Sequence, residues 1–221
     1  MISFDLQRKN MVESQVRPSD VTDRRIIAAM LDIPREAFAP SETRALAYMD
    51  QDLPVGGAGR ARRALLAPRT LARMAQLLEL EPGDRVLEVG TATGYGAAVL
   101  GRIAKEVVAL ECDAALAALA RTSLAQEKDR NIKIVDGPLA TGWAAEAPYA
   151  AILLAGAVPD VPAGLLDQLQ DGGRLVAIRL ENGIGRLMQW RRVGTSFAAR
   201  PVGEAAAPVL PGFERTPGFV F

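Results

Sequence analysis

The chain has no histidine, a single cysteine, and aromatic residues at only 5% of its 221 positions. Without His it lacks the commonest general base and the commonest transition-metal ligand. With Cys112 as its one thiol it can build no internal disulfide framework and offers no cysteine-based zinc site. Net charge is missing too. The 26 basic and 26 acidic side chains cancel and the pI is near 6.4, so no global basic field draws the chain to nucleic acid or a membrane surface. No stretch approaches the ~20 apolar residues that span a bilayer. The opening MISFDLQRKNMVESQ is mixed and charged rather than a basic end ahead of an apolar run. These absences predict a soluble cytoplasmic protein working without a metal and with neither nucleic acid nor membrane as partner.

What is present is an alternation of strand-like and helix-like segments. The length suits one α/β domain with an accessory arm. Residues 1–59 read as a helical arm in which Asp20 caps a helix carrying Ile26, Ile27, Met30 and Leu31 on one face, ended by Pro34. Pro68 suits the first turn of a second helix, with Leu71, Met74, Ala75 and Leu78 on one face and EPGD (81–84) breaking it. Beyond it, RVLEV (85–89), VVALE (107–111), NIKIV (131–135), AAILLA (150–155) and RLVAIR (174–179) are short β-rich runs. The spacer from Asp113 to Gln126 carries Leu116, Leu119, Ala120 and Ser123 at helical spacing. The expected fold is α/β: a Rossmann-like seven-stranded mixed sheet with helices on both faces and a ligand at the carboxyl ends of the central strands. Residues 60–196 form that domain. After Gly183 an antiparallel hairpin closes the sheet, and 197–221 pack on it as an irregular segment.

The run VLEVGTATGYG (86–96) is a buried strand, a glycine turn and a helix start. A dinucleotide turn of GxGxxG form places its second and third glycines on Ala92 and Tyr95 here, which does not suit a pyrophosphate. S-adenosylmethionine has no phosphate, and the looser pattern Glu88-x-Gly90-x-Ala92-x-Gly94 fits it. The second strand ends in Glu111, 21 residues beyond Gly90, where a carboxylate meets ribose hydroxyls. Asp136 and Gly137 follow the third strand, where an acid can accept from the adenine amino group. Thr91, Tyr95 and Cys112 flank these positions and join the candidate cofactor residues, although Cys112, like Trp143 and Trp190, also reads as packing. On the acceptor side, LLAGAVPD lacks the polar and aromatic tetrad used for exocyclic amines, and Cys112 is misplaced for attack on a pyrimidine. A carboxylate acceptor is already anionic and needs only in-line placement and shielding from water.

These residues carry a resemblance. AYMDQDLPVG, LARMAQLLELEPGDRVLEVGTATGYGAAVLGRI and DGPLATGWAAEAPYAAILLAGAVPDVPAGLLDQLQDGGRLV, with DIPREAFAP in the arm, resemble the protein-L-isoaspartate O-methyltransferases over about residues 9–195. The resemblance implies methylation of the abnormal carboxyl of isoaspartyl residues, a protein repair that returns them to aspartyl through a succinimide. It implies that Glu88, Gly90, Gly94, Glu111, Asp136 and Gly137 hold the cofactor. In that family a Thr and a Ser two apart precede the Pro of the next helix; counted back from Pro68 they fall on Ala64 and Leu66, so both hydroxyls are gone. The family's Val-Arg-aromatic-Val-Pro-Leu segment has no clean counterpart in AAAPVLPGF, and its usual acid before the fourth strand is Ala150. The loop carries Arg60, Arg62, Arg63 and Arg69 instead, in a chain where only four of the 26 basic residues are lysine. Leu66, Arg60 and Arg63 are therefore the candidates for the acceptor side. Three readings stay open: an isoaspartyl carboxylate in a protein or peptide, another small anionic acceptor gripped by the arginines, or a catalytically silent cofactor-binding module.

Overall fold

The computed structural model describes residues 3–56, 63–127 and 131–214. Ser3 accepts from the Leu6 amide and starts α1 (Phe4–Met11), which continues into a π-type turn over Val12–Val16. The next helix, α2 (Arg24–Asp32), is capped by Asp23, not by Asp20. Asp20 takes a left-handed conformation and closes the preceding 3-10 turn, so only the acid directly before the helix can reach its free amides. Ile26, Ile27 and Met30 are buried as expected, whereas Leu31 points outward.

The arm ends in a two-stranded antiparallel ribbon, β1 (Leu53–Gly56) with β2 (Arg63–Leu65). The ribbon straddles the 59/60 division, and Met11, Val16, Met30 and Ile33 share one buried cluster with Val86, Ala97 and Leu100. Arm and domain thus have a common core. Pro68 sits in the first turn of α3 (Pro68–Leu77), which buries Leu71, Met74 and Ala75. The end of α3 is held from across the sheet, where Arg174 Nε donates to the Leu78 carbonyl at 2.8 Å and Gln189 Nε2 to the Leu77 carbonyl at 2.6 Å.

From there the chain alternates: β3 (Arg85–Val89), α4 (Tyr95–Gly101), β4 (Glu106–Glu111), α5 (Ala114–Gln126), β5 (Ile132–Asp136), β6 (Tyr149–Val158), α6 (Ala163–Leu166), β7 (Leu169–Glu181), β8 (Ile184–Val193) and β9 (Ser196–Glu204). The sheet has seven strands among the described residues, in the order β5-β4-β3-β6-β7-β8-β9; the first five are parallel and the last two antiparallel. The expected mixed sheet is present, and the order reverses between β3 and β6, which sets a crevice at their carboxyl ends. On α5 the buried stripe is Leu116, Ala117, Ala120 and Leu124, while Leu119 is exposed. The stripe rotates toward the alanines because small side chains let the helix sit close to the strands. Regular structure runs through β9 to Glu204, past the 196/197 division, since β9 is an edge strand whose exposed face hides its alternation. The tail then returns to the sheet: Ala157 N–H donates to the Pro208 carbonyl and Leu210 N–H to the Ala157 carbonyl, at 2.8 and 2.9 Å. No helix among the described residues is long and apolar enough to cross a membrane.

Candidate active site

The crevice gathers side chains from strand ends, the glycine turn and the tail. Gly90 follows β3 with φ +84°, and Ala92 is left-handed at φ +54°. An alanine in that region is held against its own preference, and here the Ala92 N–H is drawn to Glu111 Oε2 at 2.8 Å. Arm and turn are locked together where Thr93 Oγ1 donates to the Phe38 carbonyl at 2.6 Å.

Glu111 ends β4 with no exposed surface. Its Oε1 accepts from the amides of Cys112 at 2.9 Å and Asp113 at 3.1 Å, and Oε2 from Ala92 and from Arg63 Nη2 at 2.6 Å. Beside it in register stands Asp136, at the end of β5, exposed and paired with Arg121 on α5. Gly137 N–H donates to the Glu111 carbonyl at 3.0 Å, which fixes that strand end. Cys112 proves exposed rather than packed; its thiol faces Glu111 Oε1, and partial desolvation together with that carboxylate pushes its pKa up.

Glu88, one strand inward, is buried and accepts from Thr91 Oγ1 at 2.6 Å. Burial pushes its pKa up to about 7. It lies against the helix start so closely that a Cβ at Gly96 would collide with the carboxylate. Gly96→Ala is therefore expected to lower unfolding free energy by about 1–3 kcal/mol, the ordinary cost of overpacking, measurable by urea denaturation.

Arg35 is a site residue that sequence reasoning passed over. It is fully buried; Nε donates to the Ala47 carbonyl at 2.7 Å, Nη2 to the Leu66 carbonyl at 2.8 Å, and its guanidinium lies 4.8 Å from the centre of the Tyr95 ring. Burial holds its pKa below the usual arginine value and pushes that of Tyr95 up to about 12. Arg35 Nη1 and the Tyr95 hydroxyl find no hydrogen-bond partner among the described residues. Both residues line a cavity of about 20 Å³, with Ala64, Leu66, Glu88, Gly90 and Thr91, room for one water molecule. The only sequence signal for Arg35 was its place in DIPREAFAP, and arginine is rarely buried.

Of the four loop arginines, Arg60 and Arg62 lie outside the described residues. Arg63 turns inward to Glu111, and Arg69 pairs with Asp50 at 3.1 Å. Both described members are already matched to carboxylates of this chain. Ala64 and Leu66 reach the small cavity but bring no hydroxyl. The tail contributes Leu210, missed in the sequence because AAAPVLPGF shows no motif; a Cβ at Gly90 or at Gly156 would stand 2.7 Å from Leu210 Cδ2.

The donor set fits an adenosine cofactor in chemistry: acids end three adjacent strands around a glycine turn with a close-approach position. The space above Gly90 is taken by Leu210 and Arg63, so such a group enters only as these two side chains move.

Comparison with known proteins covers the stretch of chain that holds these residues. The family described as protein-L-isoaspartate(D-aspartate) O-methyltransferase matches residues 6–204. Similar curated proteins include a protein-L-isoaspartate O-methyltransferase of Koribacter versatilis (strain Ellin345), 41% identical over 80% of this chain and 78% of its own length. One from Geobacter metallireducens (strain ATCC 53774 / DSM 7210 / GS-15) is 43% identical over 79% of each. Among solved structures, a protein-L-isoaspartate O-methyltransferase superposes with a TM-score of 0.82 at 25% identity, over 93% of this chain and 66% of that one.

Proposed function

The chain belongs to the protein-L-isoaspartate(D-aspartate) O-methyltransferase family, and from that premise we propose that it is an S-adenosylmethionine-dependent O-methyltransferase acting on the isoaspartyl carboxylate of proteins or peptides. The observation that carries the reading is the row of carboxylates, Glu88, Glu111 and Asp136, at the ends of β3, β4 and β5 around the Gly90–Gly94 turn. When bound, the cofactor would supply a methyl group activated as a sulfonium, transferable to a carboxylate oxygen with the C–S electron pair retained by the thioether product.

The chain's own residues do the binding. Glu111, held rigid by three backbone amides, presents an acceptor to the ribose hydroxyls. Asp136, exposed at the end of β5, would accept from the adenine amino group. Gly90 lets the ligand approach the backbone once Leu210 and Arg63 have moved aside. The acceptor carboxylate is ionised at neutral pH, so no side chain has a proton to take from it.

One observation favours a second acceptor class. Ala64 and Leu66 offer no hydroxyl at the cavity where an isoaspartyl carboxylate would be gripped, which suits another anionic acceptor. Transfer of labelled methyl from S-adenosylmethionine to an isoaspartyl peptide, compared with its aspartyl counterpart, tests both. Base-labile label on the isoaspartyl peptide alone is the expected result. If no peptide is labelled although S-adenosylhomocysteine binds, the other acceptor class stands. Restoring the hydroxyls with Ala64→Thr and Leu66→Ser is expected to raise the isoaspartyl rate about tenfold, since each hydrogen bond contributes about 0.5–1.5 kcal/mol.

A further inference from the structure

The position where a ribose would meet Glu111 is filled by a side chain of the same molecule. Arg63 Nη2 stands 2.6 Å from Glu111 Oε2 with 4% and 0% of the two side chains exposed. A Cβ added at Gly90 would find Arg63 Nη2 at 3.2 Å and Nη1 at 3.4 Å, so the guanidinium lies over the turn as well as against the acid. Beside the turn, the cavity lined by Glu88, Gly90 and Thr91 measures about 20 Å³, against the several hundred Å³ of a typical small-molecule pocket.

Two features make this occupant replaceable. Glu111 keeps three amide donors that do not depend on Arg63, so its carboxylate stays in place when the guanidinium leaves. Arg63 is poorly satisfied by comparison: its Nε is buried and finds no hydrogen-bond partner among the described residues. It also rides on a strand of three residues that, among the described residues, pairs only with β1, outside the main sheet.

We propose that Arg63 is a built-in competitor for the cofactor site, its guanidinium holding Glu111 in the free protein and giving way to the cofactor's ribose hydroxyls on binding. The proposal rests on the cofactor reading above. Apparent affinity is then the intrinsic affinity scaled by the fraction of molecules in which Arg63 is out. Removing the guanidinium removes the competitor at Glu111 and leaves Leu210 as the side chain still to move, so a residue that contacts the binding acid acts against binding.

The test is calorimetric titration of the full chain with S-adenosylhomocysteine, wild type beside Arg63→Gln. If the inward state outnumbers the outward one by ten to one, the variant binds about tenfold more tightly; a variant that binds where wild type does not is the same result in stronger form. Equal or weaker binding by the variant overturns the competitor role and leaves the cofactor reading intact. Binding by neither protein at millimolar ligand overturns the cofactor reading and the competitor with it. Because Arg63→Gln can perturb folding, hydrogen exchange of the wild-type protein gives a second readout. S-adenosylhomocysteine is expected to speed exchange across 63–67 while protecting 88–96, and protection of both segments overturns the proposal.

Discussion

Glu111→Gln is expected to lower the unfolding free energy by about 3–5 kcal/mol, the cost of leaving one member of a buried ion pair without its partner. The two members are not equivalent. Glu111 is anchored by the amides of Ala92, Cys112 and Asp113, so losing Arg63 leaves a carboxylate that is still hydrogen-bonded. Arg63 has the Glu111 contact and a buried Nε with no partner among the described residues, so losing Glu111 strands a buried cation. An amide at position 111 also turns an N–H₂ toward donors where the carboxylate had only acceptors. Arg63→Gln should therefore cost less, about 1–3 kcal/mol, and the double variant should fall short of the sum of the singles, because the stranded cation is gone while the misplaced amide remains. For a chain of this size each kcal/mol moves the melting temperature by about 2–4 °C, which puts Glu111→Gln about 6–20 °C below wild type. Thermal unfolding of the four proteins checks the cycle. A Glu111→Gln melting temperature within a few degrees of wild type would mean that Arg63 finds water or another acceptor when the acid is gone. Ligand binding separates the roles further: Arg63→Gln should bind S-adenosylhomocysteine and the double variant should not.

The inward turn of Arg63 could not be read from RARRALLAPR, whereas the acid it meets could. Glu111 closes a β-rich run at the expected distance from the glycine turn, and its register beside Asp136 follows from parallel pairing of two such runs. The same periodicity located every strand from β3 to β7, because buried parallel strands are near-continuous apolar runs. The ribbon was illegible. LPVG and RAL are too short to show alternation, and what makes them strands is pairing with each other. Nor does local sequence say which of several neighbouring arginines is drawn inward, since that depends on a carboxylate 48 positions away along the chain. Arg35 escaped for a related reason: its partners are the carbonyls of Ala47 and Leu66, which every residue possesses. The helix-face errors at Leu31 and Leu119 share a cause too. Both are large apolar side chains that suggest a core face, while the faces that pack are set by small neighbours such as Ala29 and Ala120.

Glu88 makes the stability of the fold depend on pH. Its carboxyl is neutral in the folded protein up to about pH 7, because burial disfavours the charge and the neighbouring Glu111 carboxylate adds to that, while Thr91 and Arg63 oppose it. In the unfolded chain a glutamate ionises near pH 4.3. Between these two values the folded state holds a proton that the unfolded state has lost, so stability falls as pH rises through this window. The contribution is fully present below about pH 4 and gone above about pH 7. Its size is up to about 4 kcal/mol at 1.36 kcal/mol per pKa unit, or about 8–16 °C in melting temperature. Glu88→Gln keeps an acceptor for Thr91 Oγ1 and carries no charge at any pH, so the variant's melting temperature relative to wild type should climb between pH 5 and 8. Melting both proteins across that range makes the comparison, and parallel curves would show that Glu88 is ionised in the folded state at pH 5. Arg63 enters here as well. It is the cation that favours ionised Glu88, so Arg63→Gln should move the Glu88 transition to higher pH, and any ligand that displaces the guanidinium from the crevice without bringing a cation of its own should do the same.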